Sequence, residues 1–180
     1  MAQATSNAAP VKALAVPRAP APRIIPENGP LGLLEIPSLE LRTALYPDTS
    51  EINLNRGAGL IRGMARPGEG GNLGLAAHRD GFFRPLERIA VGDAIEVRTP
   101  GSHYVYRVAS IAIVDRADAA LLRRTAEPSI TLVTCYPFRF VGPAPKRFVV
   151  RGRLDSTREL LAPGSVFPGS IAAGQRTAAL

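Results

Sequence analysis

The chain of 180 residues has no tryptophan, one cysteine and two histidines, and only 6% of its residues are aromatic. Each scarcity excludes something. A single thiol forms no internal disulfide and builds no cysteine-rich metal site, so Cys135 is left for packing or for reactivity. Few aromatics mean that aliphatic and β-branched side chains have to fill the core. No stretch reaches the ~20 apolar residues that a helix needs to cross a membrane. The N-terminus lacks the charged-then-apolar pattern of a signal peptide. Export, if it occurs, is expected to depend on a segment outside this sequence or on another tether. A stripe of interleaved aromatic and basic residues is missing too, and no nucleic-acid partner is expected.

Hydrophobic residues make up 46% of the chain, enough for a core, and the length suits one domain with tails. Glycine and proline number 17 each, which implies many turns and argues against a helical bundle. The formal charge of +7 sits mostly at the ends. Lys12, Arg18 and Arg23 face only Glu27 in the first 31 residues, and Lys146, Arg147, Arg151, Arg153, Arg158 and Arg176 outnumber Asp155 and Glu159 at the other end. That distribution suits a chain near an anionic surface, and equally one with solubilising tails.

Residues 1–30 read as an Ala/Pro-rich linker, expected to be extended and disordered. The ordered region is expected over 31–154, and a loosely packed extension over 155–180, with Pro163-Gly164 and Pro168-Gly169. Within the ordered part, Leu33–Ile36 is a strand stopped by Pro37, and Leu39–Arg42 continues it. Asp48-Thr49-Ser50-Glu51 starts a short helix that ends near Gly57 or Gly59. Gly68–Gly71 turns into a strand over 73–78. One or two helical turns follow over 83–89, then strands over 94–98, 103–114, 129–135 and 146–154. Seven or eight strands with one or two short helices predict a mainly β fold, a closed or nearly closed barrel.

Side chains alternate across a strand. Leu73, Leu75 and Ala77 share one face, and His78 lies opposite with Gly74 and Ala76. Ile130 and Leu132 share a face, and Cys135 lies opposite with Thr131 and Val133. Phe148, Val150 and Leu154 share a face, and Arg147 lies opposite with Val149 and Arg151. If the bulky sets line one core, the three candidates project outward, where a groove can form. A thiolate nucleophile, an imidazole to protonate a leaving amine and a permanently charged guanidinium for a developing oxyanion together suit acyl transfer through a thioester. Spacing alone does not establish this, because a lone cysteine is more often a packing residue. His103, the other histidine, fits an exposed turn residue better than a base. Asp80, Asp93 and Glu96 suggest calcium only weakly, since their spacing is no recognised loop. Otherwise no cofactor is expected.

Thr131-Leu132-Val133-Thr134-Cys135 resembles the catalytic strand of sortases. Lys146-Arg147-Phe148-Val149-Val150 is similar to the arginine strand of that family, and Ala77-His78-Arg79-Asp80 to its histidine motif. Cys135-Tyr136-Pro137-Phe138 and Val141-Gly142-Pro143-Ala144-Pro145-Lys146-Arg147 look most like class D sortases. Ala77 stands where glycine is usual, Gly81 where threonine is, Arg139 at a common aromatic and Leu60 at a frequent histidine. The resemblance implies an eight-stranded sortase-type β-barrel and a cysteine transpeptidase at the cell envelope, normally membrane-tethered. It would cut a C-terminal Leu-Pro-X-Thr-type sorting signal and pass the thioester to an amine, such as a peptidoglycan precursor or a pilin lysine. It implies Cys135 as nucleophile, His78 as acid/base, Arg147 as oxyanion stabiliser, and Thr134, Ala77 and Tyr136 against the substrate. A monomer is expected. Two other functions fit the same residues: a cysteine hydrolase with water as acceptor, and a non-enzymatic basic barrel that binds anionic polymer or membrane.

Overall fold

The computed structural model describes residues 29–118, 123–140 and 142–160. Residues 1–28 of the expected linker, residues 161–180 of the expected C-terminal extension and Val141 of the proline-rich motif lie outside them. Eight strands close into a barrel: β1 (Gly32–Ile36), β2 (Leu41–Tyr46), β3 (Ala58–Leu60), β4 (Asn72–Ala76), β5 (Ala94–Arg98), β6 (Ser102–Asp115), β7 (Ser129–Tyr136) and β8 (Lys146–Glu159). Around the barrel they run β1-β2-β3-β4-β7-β8-β6-β5, and β5 returns to β1. The pairs β2/β3 and β4/β7 are parallel, and the others are antiparallel.

Local chemistry sets the breaks. Pro37 has no N–H to continue a ladder, so β1 stops there in a short 3-10 turn. Glu40 follows at φ 53°, turning the chain into β2. The carboxylate of Asp48 accepts the N–H of Ser50 at 2.8 Å and the side-chain amide of Asn53 at 2.9 Å, which fixes the entry to helix α1 (Glu51–Leu54). A 3-10 turn over Arg84–Arg88 drops Phe83 and Leu86 fully into the core. There they join Leu34, Ile36, Leu75, Ile95, Ile130 and Leu132, all with no exposed surface. Each such side chain contributes roughly 1.5–3 kcal/mol relative to leaving it in water.

The alternation works as the sequence predicts on the inner face. Leu73, Leu75 and Ala77 are buried from β4 and its extension, Ile130 and Leu132 from β7, and Phe148 and Val150 from β8. Three features differ from expectation. Strand β3 is a three-residue strand over residues expected to end a helix, and Gly57 just before it is so close to the carbonyl of Ala44 that a side chain would collide. Strand β6 runs without a break, but its pairing with β8 shifts register between Val105 and Tyr106 and between Val108 and Ser110. Strand β8 continues past the expected boundary at Leu154 to Glu159, because Ser102–Val105 of β6 offer it a ladder through Ser156–Glu159.

Candidate active site

The three candidates fall in one row across three adjacent strands. In the antiparallel β7/β8 ladder, Cys135 is the direct partner of Arg147. In the parallel β4/β7 ladder, Leu73 pairs with Ile130 and Ala76 with Val133. The same register is held one residue further, where the Thr134 hydroxyl donates to the carbonyl of Ala77 at 2.9 Å. Extending that register by one residue, past the end of β4, would set His78 beside Cys135. Strands sit about 4.8 Å apart, so the three backbones lie within about 10 Å of one another. All three side chains are partly exposed. Two residues away along the same outward face, Val133 and Val149 are 9% and 1% exposed, so a buried stretch separates the row from the rest of that face.

Each member has its own setting. The carbonyl of His78 accepts the N–H groups of Gly81 and Phe83, both at 3.2 Å, so its loop hangs from a ring fixed in the core. Its Nε2 lies 3.3 Å from Oε1 of Glu51, at the first position of α1. Cys135 is a free thiol, and among the described residues it has no hydrogen bond to the imidazole. Arg147 donates Nη1 to the carbonyls of Lys146 at 2.9 Å and Ala144 at 3.3 Å. Its guanidinium therefore braces the β7–β8 connection, and its other N–H groups remain for the row.

Two arginines that sequence reasoning gave no role tie the histidine loop to the loop after the cysteine. Arg79, 8% exposed, donates Nη1 to Pro137 O at 2.8 Å and Nη2 to Phe140 O at 2.9 Å, with Asp80 on its Nε. Arg84 donates Nη1 to Phe138 O at 2.6 Å. Arg79 stood inside the quoted histidine motif; the only signal was its place beside His78. Glu51 was visible as an early helical acid, but its partner was not.

Two of the residues expected against the substrate are buried here. Ala77 and Thr134 are 6% and 3% exposed and bond to each other, because both fall on the inward phase of their strands. They hold β4 and β7 in register rather than face a groove. Tyr136 is half-buried, with its ring stacked on Phe148 (centroids 6.3 Å apart) and edge-on to Phe138 (6.0 Å). These aromatic residues border a cavity of about 340 Å³ with Pro137 and Ile113.

The remaining candidates lie elsewhere. His103 pairs across the sheet with Arg158, near the opposite end of β6 from Val114, the partner of Arg147. At 3.3 Å per residue that is about 35 Å from the row. Its ring is not exposed as expected but sits against Glu96, Nε2 to Oε2 2.8 Å. Asp80, Asp93 and Glu96 do not converge. Asp80 pairs with Arg79, Asp93 accepts the N–H of Ala90, and Glu96 holds Arg98 and His103. Among the described residues no three His, Cys, Asp or Glu side chains gather into a group that could hold a metal ion. No helix among them is long and apolar enough to cross a membrane.

The class the fold defines is a closed eight-strand β-barrel with a cysteine, a histidine and an arginine towards one end. The Sortase domain family model matches residues 34–155, and the chain belongs to the sortase family. It is 32% identical over 130 residues to Sortase D of Bacillus subtilis (strain 168), covering 71% of this chain and 66% of that one. Among solved structures it is similar to sortase A of Listeria monocytogenes, with a TM-score of 0.67 and 28% identity over 74% of this chain and 92% of that one. A Clostridium perfringens Sortase D5 transpeptidase gives a TM-score of 0.65 and 25% identity over 72% and 82%. The expected likeness to class D is therefore met. The chain spans about three fifths to two thirds of the length of the curated relatives it matches.

Proposed function

We propose that the protein is a cysteine transpeptidase that acts on exported proteins at the cell envelope. In this reading the Cys135 thiolate attacks the carbonyl carbon of the Thr of a Leu-Pro-X-Thr-type signal. The carbonyl π pair moves to oxygen, where Arg147 meets the charge. Collapse breaks the C–N bond, and His78 supplies the proton that the departing amine takes up. An acceptor amine, from a peptidoglycan precursor or a pilin lysine, then attacks the thioester and passes its proton to His78, and Cys135 leaves as thiolate. The observation that carries this reading is the single row His78–Cys135–Arg147 across β4, β7 and β8 at the solvent-reachable end of the sheet.

The test is intact-mass analysis after mixing with signal peptides. A mass gain equal to the acyl fragment is expected on the wild-type chain and is absent from Cys135→Ala. Full peptide turnover by Cys135→Ala would end the proposal. Product analysis with and without an added amine then separates transfer from hydrolysis. Aminolysis product that rises with amine concentration is expected, and hydrolysis alone at every amine concentration would make water the acceptor.

A further inference from the structure

Away from the row, the outer surface of the barrel holds a cavity of about 360 Å³ whose lining includes Arg123, Arg151 and Arg153 and no carboxylate. Ser110, Ser129 and Thr131 line it as well. It lies along the strands from the catalytic row. Thr131 and Ser129 stand four and six residues before Cys135 on β7, which at about 3.3 Å per residue is roughly 13–20 Å from the sulfur. A ligand here does not cover the thiol.

The floor is built rather than accidental. Asn72, 5% exposed, donates its side-chain amide to the carbonyl of Arg123 at 3.1 Å and accepts the hydroxyl of Thr131, 1% exposed, at 2.9 Å. Two buried polar side chains thereby pin the Arg123 segment to β4 and β7. Thr125 and Ser129 share a hydrogen bond of 2.8 Å beside it. Above this floor the cations are arranged against one another. Arg153 is the direct cross-strand partner of Arg107, and like charges set opposite on a sheet repel. Asp155 relieves only Arg107, at 3.2 Å. Arg151 has a partner of its own. Among the described residues no carboxylate pairs with Arg123 or Arg153.

We propose that this cavity is a binding site for a phosphate group carried on a small polar alcohol, a phosphomonoester or phosphodiester. A guanidinium fork matches phosphate oxygens, and several cations with nearby hydroxyls suit a tetrahedral group with up to two charges. A single carboxylate has two oxygens and one charge, and leaves the set undersatisfied. The volume exceeds that of bare phosphate, which leaves space for the alcohol. The same chemistry occurs on soluble metabolites and on lipid headgroups, and the site is distinct from the catalytic row whichever source supplies it.

The test is an amide NMR titration of the full chain at constant ionic strength with inorganic phosphate, glycerol 3-phosphate and an acidic hexapeptide. Phosphatidylglycerol vesicles are tested in parallel by sedimentation. Saturable shifts centred on Ser110, Ser129 and Arg153 are expected, tighter for glycerol 3-phosphate than for phosphate. Arg153→Glu, on an exposed strand position, is expected to weaken both at least tenfold, and Arg123→Ala about threefold, with thermal melting confirming that each variant folds. Vesicle binding that glycerol 3-phosphate competes away and Arg153→Glu abolishes would identify a lipid headgroup as the source. Binding of glycerol 3-phosphate with none to vesicles would identify a soluble ester. The proposal is overturned by linear, unsaturated shifts for both phosphate probes, by equal affinity in Arg153→Glu, or by tighter binding of the acidic peptide than of either.

Discussion

Arg79, the residue after His78, donates to the carbonyl of Pro137, two positions past Cys135, at 2.8 Å. With Phe140 O on its other terminal nitrogen and Asp80 on Nε, this near-buried guanidinium couples the loop that carries the imidazole to the loop that leaves the sulfur. Arg79→Ala removes the donor from two partly buried carbonyls and the packing of a near-buried side chain; a carbonyl left without a donor costs about 1–3 kcal/mol where water cannot replace it. A loss of about 2–4 kcal/mol in urea unfolding is expected, with slower acylation even where the variant remains folded. Arg79→Lys keeps the charge but not the fork, and should fall between. An Arg79→Ala protein with wild-type stability and rate would show that the loops hold their spacing without it.

Glu51 and His78 make a different kind of contact. Their side chains are 75% and 42% exposed, so the 3.3 Å pair adds little to stability, in the range of 0–1 kcal/mol. Its effect should be on where the ring points. Glu51→Gln is expected to leave the melting temperature unchanged and to lower kcat/KM for a signal peptide by roughly threefold to tenfold, about 0.7–1.4 kcal/mol in the barrier. Where the carboxylate acts through its charge, added salt should narrow the gap between variant and wild type, since exposed charges are screened. A gap independent of salt would point to steric rather than electrostatic orientation.

Most of the barrel could be read from local pattern, because alternation and turn residues act within a few positions. Leu73/Leu75, Ile130/Leu132 and Phe148/Val150 face the core as their spacing requires, and Pro37 ends β1. Features set by partners distant in sequence could not be read. Strand β3 forms because Leu45 and Tyr46 offer it a parallel edge, and 155–159 are strand because β6 is long enough to pair with them. At the site, the outward phase of His78, Cys135 and Arg147 was legible, but their alignment depends on β4/β7/β8 register. The burial of Thr134 and Ala77 follows from the same alternation that made the core readable: both stand on the inward phase. The clamps made by Arg79 and Arg84 end on backbone carbonyls, which carry no mark in a sequence.

Arg147 faces Cys135 across the ladder while its Nη1 bonds Lys146 O and Ala144 O. Two effects of its loss can therefore be separated. Arg147→Ala removes the brace on the connection together with the proposed oxyanion partner, and acylation should fall by roughly 10²–10³-fold, the scale of one oxyanion donor. Arg147→Lys restores a charge without the planar fork and should recover only part of that loss. Single-turnover thioester formation is the measurement, with substrate affinity taken separately in a Cys135→Ala background. If affinity alone changes and the acylation rate at saturation does not, Arg147 positions substrate and does not stabilise the oxyanion.

The far end of the barrel supplies a pH prediction independent of the thiol. Glu96, 18% exposed, bonds His103 at 2.8 Å and Arg98 at 2.9 Å. Burial by itself pushes its carboxyl up, but hydrogen bonds from Arg98 and His103, and their charges, outweigh it and hold the group below its ordinary 4.5. A carboxyl depressed in the folded state binds fewer protons there than in the unfolded chain. Its contribution is thus complete above the ordinary value and disappears as pH falls through the folded one. Asp48 is depressed as well, mainly by its bonds to Ser50, so the whole chain should lose stability in acid and the comparison has to be differential. Glu96→Gln is expected to melt below wild type at pH 7, by about 1 kcal/mol in unfolding free energy. The two curves should then converge as pH is lowered from 4.5 toward 2.5. Parallel melting curves across that range would mean that Glu96 is not the group whose protonation weakens this end of the sheet.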